Sequence, residues 1–267
     1  MKNLLKSKWL RIEALGVGAM MVIGFVNCQQ PSDSKVSSLE PISSSEADFE
    51  SIFDGETLEG WEGDPVYWSV KDGAITGEIT PETLLKANTF LIWQGGQPGD
   101  FELKAEFKIS EAGNSGINYR SERVEDVPFA LKGYQADIDG KNSYTGQNYE
   151  ERKRTTLAYR GQKTKISPQP DGVEMREYVE RNAWKGLSVE QEIGDRAELG
   201  AMVKAGEWNS IHIIAKGNVL QHYVNGQLMS EVHDEDPKNR MESGYLGVQV
   251  HVGPPMKVQF KDVMLKQ

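Results

Sequence analysis

The side chains best suited to chemistry fall at alternate positions of short apolar runs. Gln135, Asp137 and Asp139 alternate with Tyr134, Ala136 and Ile138. Gln249 and His251 alternate with Leu246, Val248 and Val250, and Asn118 and Arg120 alternate with Ile117 and Tyr119. In an extended chain, successive side chains point to opposite faces, so each run separates an apolar face from a polar one. If the three runs are neighbours in one sheet, Asn118, Arg120, Gln135, Asp137, Gln249 and His251 gather in one hollow, with Glu106 as a further candidate. Such a set can bind sugar hydroxyls, move protons, or hold a divalent cation, for which Asp137 and His251 are the natural ligands. The competing reading is a plain solvated face, the usual fate of alternating polar residues. Amide, Arg and His side chains are less typical of such a face than Lys, Glu and Thr.

These runs are the signature of strands. The cleanest is Phe101-Glu-Leu-Lys-Ala-Glu-Phe-Lys-Ile109, which alternates over nine residues. Others lie at 117–120, 134–139, 210–215, 220–224, 245–251 and 256–265. Asn225-Gly226 between two of them predicts a tight hairpin. The best helix candidate, 173–182, is a weak one. Many short strands with turn chemistry every 8–15 residues predict an all-β jelly-roll sandwich of two antiparallel sheets. The least regular stretch, 140–207, reads as long loops, polar and basic over 144–161, and Trp184 within it could stack on a sugar ring. Trp61, Trp68 and Trp208 read as core, and His222, on the parity of Leu220 and Val224, as a packed histidine.

The ends place the domain. Lys2, Lys6, Lys8 and Arg11 precede an apolar run at 14–26, too short for a comfortable membrane span and laid out like a signal peptide. The run ends at Cys28, the only cysteine of the 267 residues and the expected lipidation site, although Phe25 and Asn27 fit the cleavage box loosely. A lone cysteine rules out an intramolecular disulfide framework. Ser-, Pro- and Gln-rich residues follow, which cannot bury apolar surface. The expected organisation is a lipoprotein signal at 1–27, a flexible tether at 28–48 and one folded domain at 49–267, anchored to the cell envelope by lipid. Removing 1–27 takes away four basic groups and one acidic group, moving the formal charge from −10 to −13. That disfavours nucleic acid, or membrane contact other than through the lipid.

Other signals carry less. No phosphate loop, Cys-x-x-Cys pair or Gly-x-Ser-x-Gly elbow is present. Glu46-Ala-Asp-Phe-Glu50 has the Glu-x-Asp-x-Glu spacing of laminarinase-type glycosidases, but it sits where the tether meets the domain. The run Asp234-Glu235-Asp236 reads as a solvated turn.

Several segments, in order along 49–267, resemble one bacterial family. They are Phe53-Asp-Gly-Glu-Thr-Leu-Glu-Gly-Trp61, Trp68-Ser-Val-Lys-Asp-Gly73 with Thr76-Gly-Glu78, Gly99-Asp-Phe-Glu-Leu103, and Gly113-Asn-Ser-Gly-Ile117 with Arg120. Further on come Gly133-Tyr-Gln135, Gly206-Glu-Trp-Asn209, Gln221-His-Tyr-Val-Asn-Gly226 and Leu246-Gly-Val-Gln-Val-His251. The resemblance is to the 3-keto-disaccharide hydrolase domain, also named the 3-keto-glucoside 1,2-lyase/3-keto-2-hydroxy-glucal hydratase domain. It implies a concanavalin-like jelly roll and a carbohydrate substrate. It also implies chemistry in which the C3 ketone acidifies the C2 hydrogen. A base removes it, the C1 substituent leaves, and water adds to the resulting glucal. Within that chemistry, His251 or Asp137 is the expected base or ligand of a divalent metal. Arg120 and Gln135 would hold the ketone or hydroxyls, and Gln249 and Asn118 would position the ring. Two other readings stay open, a non-catalytic carbohydrate-binding lipoprotein and a laminarinase-like glycoside hydrolase.

Overall fold

In the strand Phe101–Ile109 the alternation of the sequence becomes an alternation of environment. Its five apolar residues are buried and the four charged residues between them are half-exposed. Strands Asn209–Lys216 and Val219–Val224 behave alike. Asn225 and Gly226, at φ 50° and 78°, supply the left-handed pair that a two-residue hairpin turn needs before Gln227–Asp234. The computed structural model describes residues 48–267. The signal segment, Cys28 and all but the last residue of the expected tether lie outside the described residues.

The described strands form two sheets. The ten-stranded sheet runs through Leu187–Glu192, Gln162–Ile166, Gln227–Asp234, Val219–Val224, Asn209–Lys216, Phe101–Ile109, Met256–Lys266, Ala74–Ile79 and Trp68–Lys71, with Glu50–Ser51 paired to Met256–Lys266. The nine-stranded sheet runs through Val179–Glu180, Ala183–Trp184, Thr155–Ala158, Asn148–Glu151, Leu131–Asp139, Asn114–Arg123, Tyr245–Val250, Thr89–Trp93 and Trp61–Glu62. Side chains from both, such as Phe107, Ile211 and Val258 from the first and Ile117, Tyr134 and Val248 from the second, join in one core. Each large apolar side chain buried there stabilises the fold by roughly 1.5–3 kcal/mol. The result is the expected jelly-roll sandwich, with one correction. Two pairings are parallel, Thr155–Ala158 with Ala183–Trp184 and Gln162–Ile166 with Gln227–Asp234.

The stretch 140–207 departs most from its reading. It contains strands Asn148–Glu151, Thr155–Ala158, Gln162–Ile166 and Leu187–Glu192. The helix expected at 173–182 is a 3-10 turn, Met175–Tyr178, followed by a small hairpin. Among the described residues, an α-helix lies at Arg196–Ala201, where the Asp195 side chain accepts from the backbone N–H groups of Ala197 and Glu198. Strand Asn148–Glu151 was hidden because its inward positions are polar or charged. Glu150 and Arg154 are fully buried, with Arg154 Nε donating to Glu150 Oε2 at 2.6 Å and Nη2 to Asp234 Oδ2 at 2.6 Å. Asp234 and Asp236, expected in a solvated turn, are both fully buried. Tyr134 donates its hydroxyl to Asp234, so the cluster joins the two sheets through the core.

Replacing Arg154 by Met leaves Asp234 a buried carboxylate without its cation and Glu150 with Lys153 alone, at 3.5 Å, and should cost about 3–5 kcal/mol in chemical denaturation. Lys261→Met breaks the pair with Glu106 (2.7 Å), whose two side chains are each about a third exposed, and should change stability by about 1 kcal/mol or less. Equal effects would refute the inward network as a structural anchor.

Candidate functional site

One face of the nine-stranded sheet packs on the core; the other carries the polar positions. Strand Leu131–Asp139 is buried along nearly its whole length, so its polar face is covered as well as its apolar one. On that face Gln135 stands opposite Asn118 on one neighbouring strand and Tyr149 on the other, and Asp137 stands opposite Gly116. A cavity of about 220 Å³ opens here, lined by Asn114, Gln135, Asp137, Tyr144, Gln147, Tyr149, Glu151, Asn182 and His251.

Asp137 forms its floor, only 7% exposed. Burial pushes its carboxyl up to about 7, although amide N–H groups of Gln135 and Gln147 bond to it and act in the opposite direction. Glu151 is also pushed up by burial, partly offset by Asn88, whose Nδ2 donates to Oε1 at 3.1 Å. The Asn88 carbonyl accepts the backbone N–H of Val252 at 2.9 Å. The Val252 carbonyl lies 2.7 Å from Nδ1 of His251. A carbonyl only accepts, so Nδ1 carries a proton and Nε2 is left for other work. Glu151, Asn88 and His251 are thereby tied into one unit. Burial and the neighbouring Glu151 and Asp137 carboxyls raise the Tyr149 phenol to about 12, which keeps it a hydroxyl donor. Asn118, fully buried, has neither amide atom bonded to a protein partner, and the Oε1 atoms of Gln135 and Gln147 are likewise unpartnered. Buried amides without partners mark a surface meant to be completed by water or ligand.

The expected residues divide accordingly. Gln135, Asp137 and His251 share the cavity. Asn118 and Gln249 are fully buried on the same sheet and do not line it. Three expectations are corrected. Arg120 lies elsewhere because the strand bulges, with Arg120 at φ 43° and the register slipping between Tyr119 and Glu122. Gly133 makes room, since a Cβ there would come within 2.5 Å of Ser121 Oγ. The Arg120 guanidinium instead donates to the carbonyls of Gly99 (2.9 Å) and Gly217 (2.7 Å) and to Asp100. Glu106 belongs to the ten-stranded sheet and pairs with Lys261. Trp184 is buried against Tyr178, ring centroids 4.8 Å apart, and cannot stack on a sugar. His222 is packed as its parity implied, 2.8 Å from the Tyr119 hydroxyl. Of the Glu-x-Asp-x-Glu spacing, Glu46 lies outside the described residues, while Asp48 and Glu50 line a separate hollow beside Trp93.

Tyr149 and Glu151 were missed because their strand alternates polar with polar. Asn148 and Glu150 face the core, so no hydrophobic period announces the strand. Asp139, on the parity of Asp137, serves the loop that follows, accepting backbone N–H bonds from Ser143, Tyr144 and Thr145. For a divalent metal the donor set is poor. Among the described residues no group of three or more His, Cys, Asp or Glu side chains is placed to hold one, and both Asp137 oxygens already accept amide N–H bonds. Asp137 and His251 therefore do not fit as the core of a metal centre.

Because the native carboxyl of Asp137 titrates near 7 and the unfolded one near the ordinary value, the folded state binds the proton more tightly between these pH values. Stability from this group is full below the unfolded pKa and is lost as pH rises through about 7. Asp137→Asn should abolish that decline. Its stability relative to wild type should rise by roughly 2–4 kcal/mol between pH 4 and pH 8, read from denaturation at a series of pH values. A pH-independent difference would contradict the raised carboxyl.

Among solved structures, the chain is similar to a Parabacteroides distasonis protein provisionally described as a glycosyl hydrolase (20% identity, TM-score 0.49, covering 82% of this chain and 94% of that one). It is also similar to the carbohydrate-binding module CBM66 of Bacillus subtilis (15% identity, TM-score 0.48, 78% and 96%). A 3-keto-disaccharide hydrolase of Bacteroides thetaiotaomicron is 36% identical over 89 residues, which span 27% of this chain and 27% of that protein. A family model matches residues 48–266, nearly the whole described region, and on that match the chain belongs to the 3-keto-alpha-glucoside-1,2-lyase-like domain family.

Proposed function

We propose that this protein cleaves 3-keto-glycosides by eliminating across C1–C2 and then hydrating the product, with net hydrolysis. The carrying observation is that a buried carboxyl poised near neutrality, Asp137, lines the same polar cavity as His251 and Glu151. Family membership and the name of the Bacteroides relative support the substrate class.

In this scheme the Asp137 carboxylate takes the C2 hydrogen as a proton. The C–H pair becomes the C1–C2 double bond, and the C1–O bond breaks toward the aglycone oxygen. His251, with Nδ1 held by the Val252 carbonyl, delivers a proton from Nε2 to that oxygen. Hydration runs the roles in reverse. His251 takes a proton from the water that attacks C1, and Asp137 returns one to C2. The Tyr149 hydroxyl and the amides of Asn114 and Asn182 are donors for the enolate oxygen and ring hydroxyls. A base works best with a pKa near the operating pH, and burial gives Asp137 that value.

Incubated with a 3-keto-glucoside in D2O, the protein should release 3-keto-glucose carrying deuterium at C2 above the uncatalysed exchange, and should leave the parent glucoside untouched. Asp137→Asn and His251→Ala should each lower kcat/KM by about 10²–10⁴. Retention of the C2 hydrogen with no enone absorbance from a glucal intermediate would point to an ordinary glycosidase; binding without turnover would favour a carbohydrate-binding module. The same assay with and without a chelator decides whether the divalent ion expected from the sequence takes part.

The lipid anchor is likewise a proposal, resting on the segment before Cys28. Expressed in a bacterial host, wild type should fractionate with membranes and Cys28→Ser should not; identical fractionation of the two would remove the lipoprotein reading.

A further inference from the structure

The Asp137 carboxyl is held at both oxygens. Gln135 Nε2 donates to Oδ1 at 2.6 Å and Gln147 Nε2 donates to Oδ2 at 2.6 Å. Gln135 lies two residues before Asp137 on the same strand, so the two side chains start roughly 6–7 Å apart on one face. To close that gap, the glutamine must lie along the sheet and not stand away from it. It lies over Gly116, which faces Asp137 across the strand pair. A Cβ at 116 would come within 2.5 Å of Gln135 Cγ and 2.8 Å of its Nε2. Gly116 is not among the residues of positive φ, so what this position uses is the missing side chain, not the freedom of the backbone. The Oε1 atoms of Gln135 and Gln147 are buried without partners. The amides are thus turned so that their N–H groups, and not their carbonyls, meet the carboxyl.

We infer that Gly116, Gln135 and Gln147 are positioning residues that clamp the Asp137 carboxyl, with Gly116 acting by leaving the space through which Gln135 reaches it. An N–H can only donate, so both bonds strengthen when the carboxyl ionises, against the burial that opposes ionisation. The clamp also fixes which lone pairs remain for the substrate. The inference deepens the proposed function and rests on it for the kinetic half of its test only.

Titration of the Asp137 carboxyl can be followed by carbon-13 NMR in the substrate-free protein, so it does not depend on turnover. Gln135→Met, Gln147→Met and Gly116→Ala should each raise the midpoint by about one unit or more, as expected for loss of a hydrogen bond to a charged group. Gly116→Ala combined with Gln135→Met should shift it no further than Gln135→Met alone, because both remove the same bond. The rising acidic limb of kcat/KM for a 3-keto-glucoside should move up in step. A merely structural role would lower kcat at every pH without moving that limb. Unchanged midpoints in the folded Gln135→Met and Gln147→Met proteins, or a double variant equal to the sum of its parts, would overturn the clamp. If Gly116→Ala does not fold, Gly116→Ser cannot replace it and the two glutamine variants decide. Midpoints that shift as expected in a protein with no activity on any 3-keto-glucoside would sustain the clamp and count against the proposed reaction.

Discussion

A guanidinium buried between two sheets must be neutralised where it stands, and that requirement organises the half of the molecule that carries the cavity. Arg154 meets Glu150 from its own sheet and Asp234 from the other, with Tyr134 bonded to the same carboxylate. Strand Asn148–Glu151 is thereby fixed to the core through its inward positions. Its outward positions, Tyr149 and Glu151, are delivered to the cavity with no choice of register, since a slip of one residue would turn Glu150 outward and leave Arg154 without its nearest carboxylate. Such networks are costly to desolvate and add little net stability compared with apolar packing, but they tolerate few alternative pairings.

The cavity shows the same division of labour at smaller scale. Each group that could move a proton is oriented by a neighbour that cannot. The Asp137 oxygens are held by two amides, the His251 ring by a backbone carbonyl, and Glu151 by Asn88. Amides carry no charge to be screened and change no protonation state over the working range, so they fix geometry while leaving the titrating groups to titrate. Burial lifts both carboxyls, while Arg152, 3.7 Å from Glu151, acts on that carboxyl in the opposite direction.

Arg120 shows where strand parity fails. Alternation assumes an unbroken ladder, and one extra residue at the bulge reverses every side chain beyond it. The guanidinium leaves the polar face and ties together the segments at Gly99, Asp100 and Gly217. Trp184 shows the complementary failure. A tryptophan in a polar, Pro-containing stretch was expected to be available to a ligand, yet it anchors its own hairpin beneath Tyr178.

The sequence alone determined the jelly-roll class, most of its strands and the convergence of Gln135, Asp137 and His251, because period-2 alternation between apolar and polar residues is local and needs no knowledge of neighbours. Tertiary structure alone decided the rest: that Glu151 and Tyr149 join them, that Arg120, Glu106 and Trp184 do not, and that the charges of Glu150, Arg154, Asp234 and Asp236 face inward. A charged side chain is legible as a core residue only once its partner is known. Here Arg154 and Asp234 lie 80 residues apart in the chain, on different sheets.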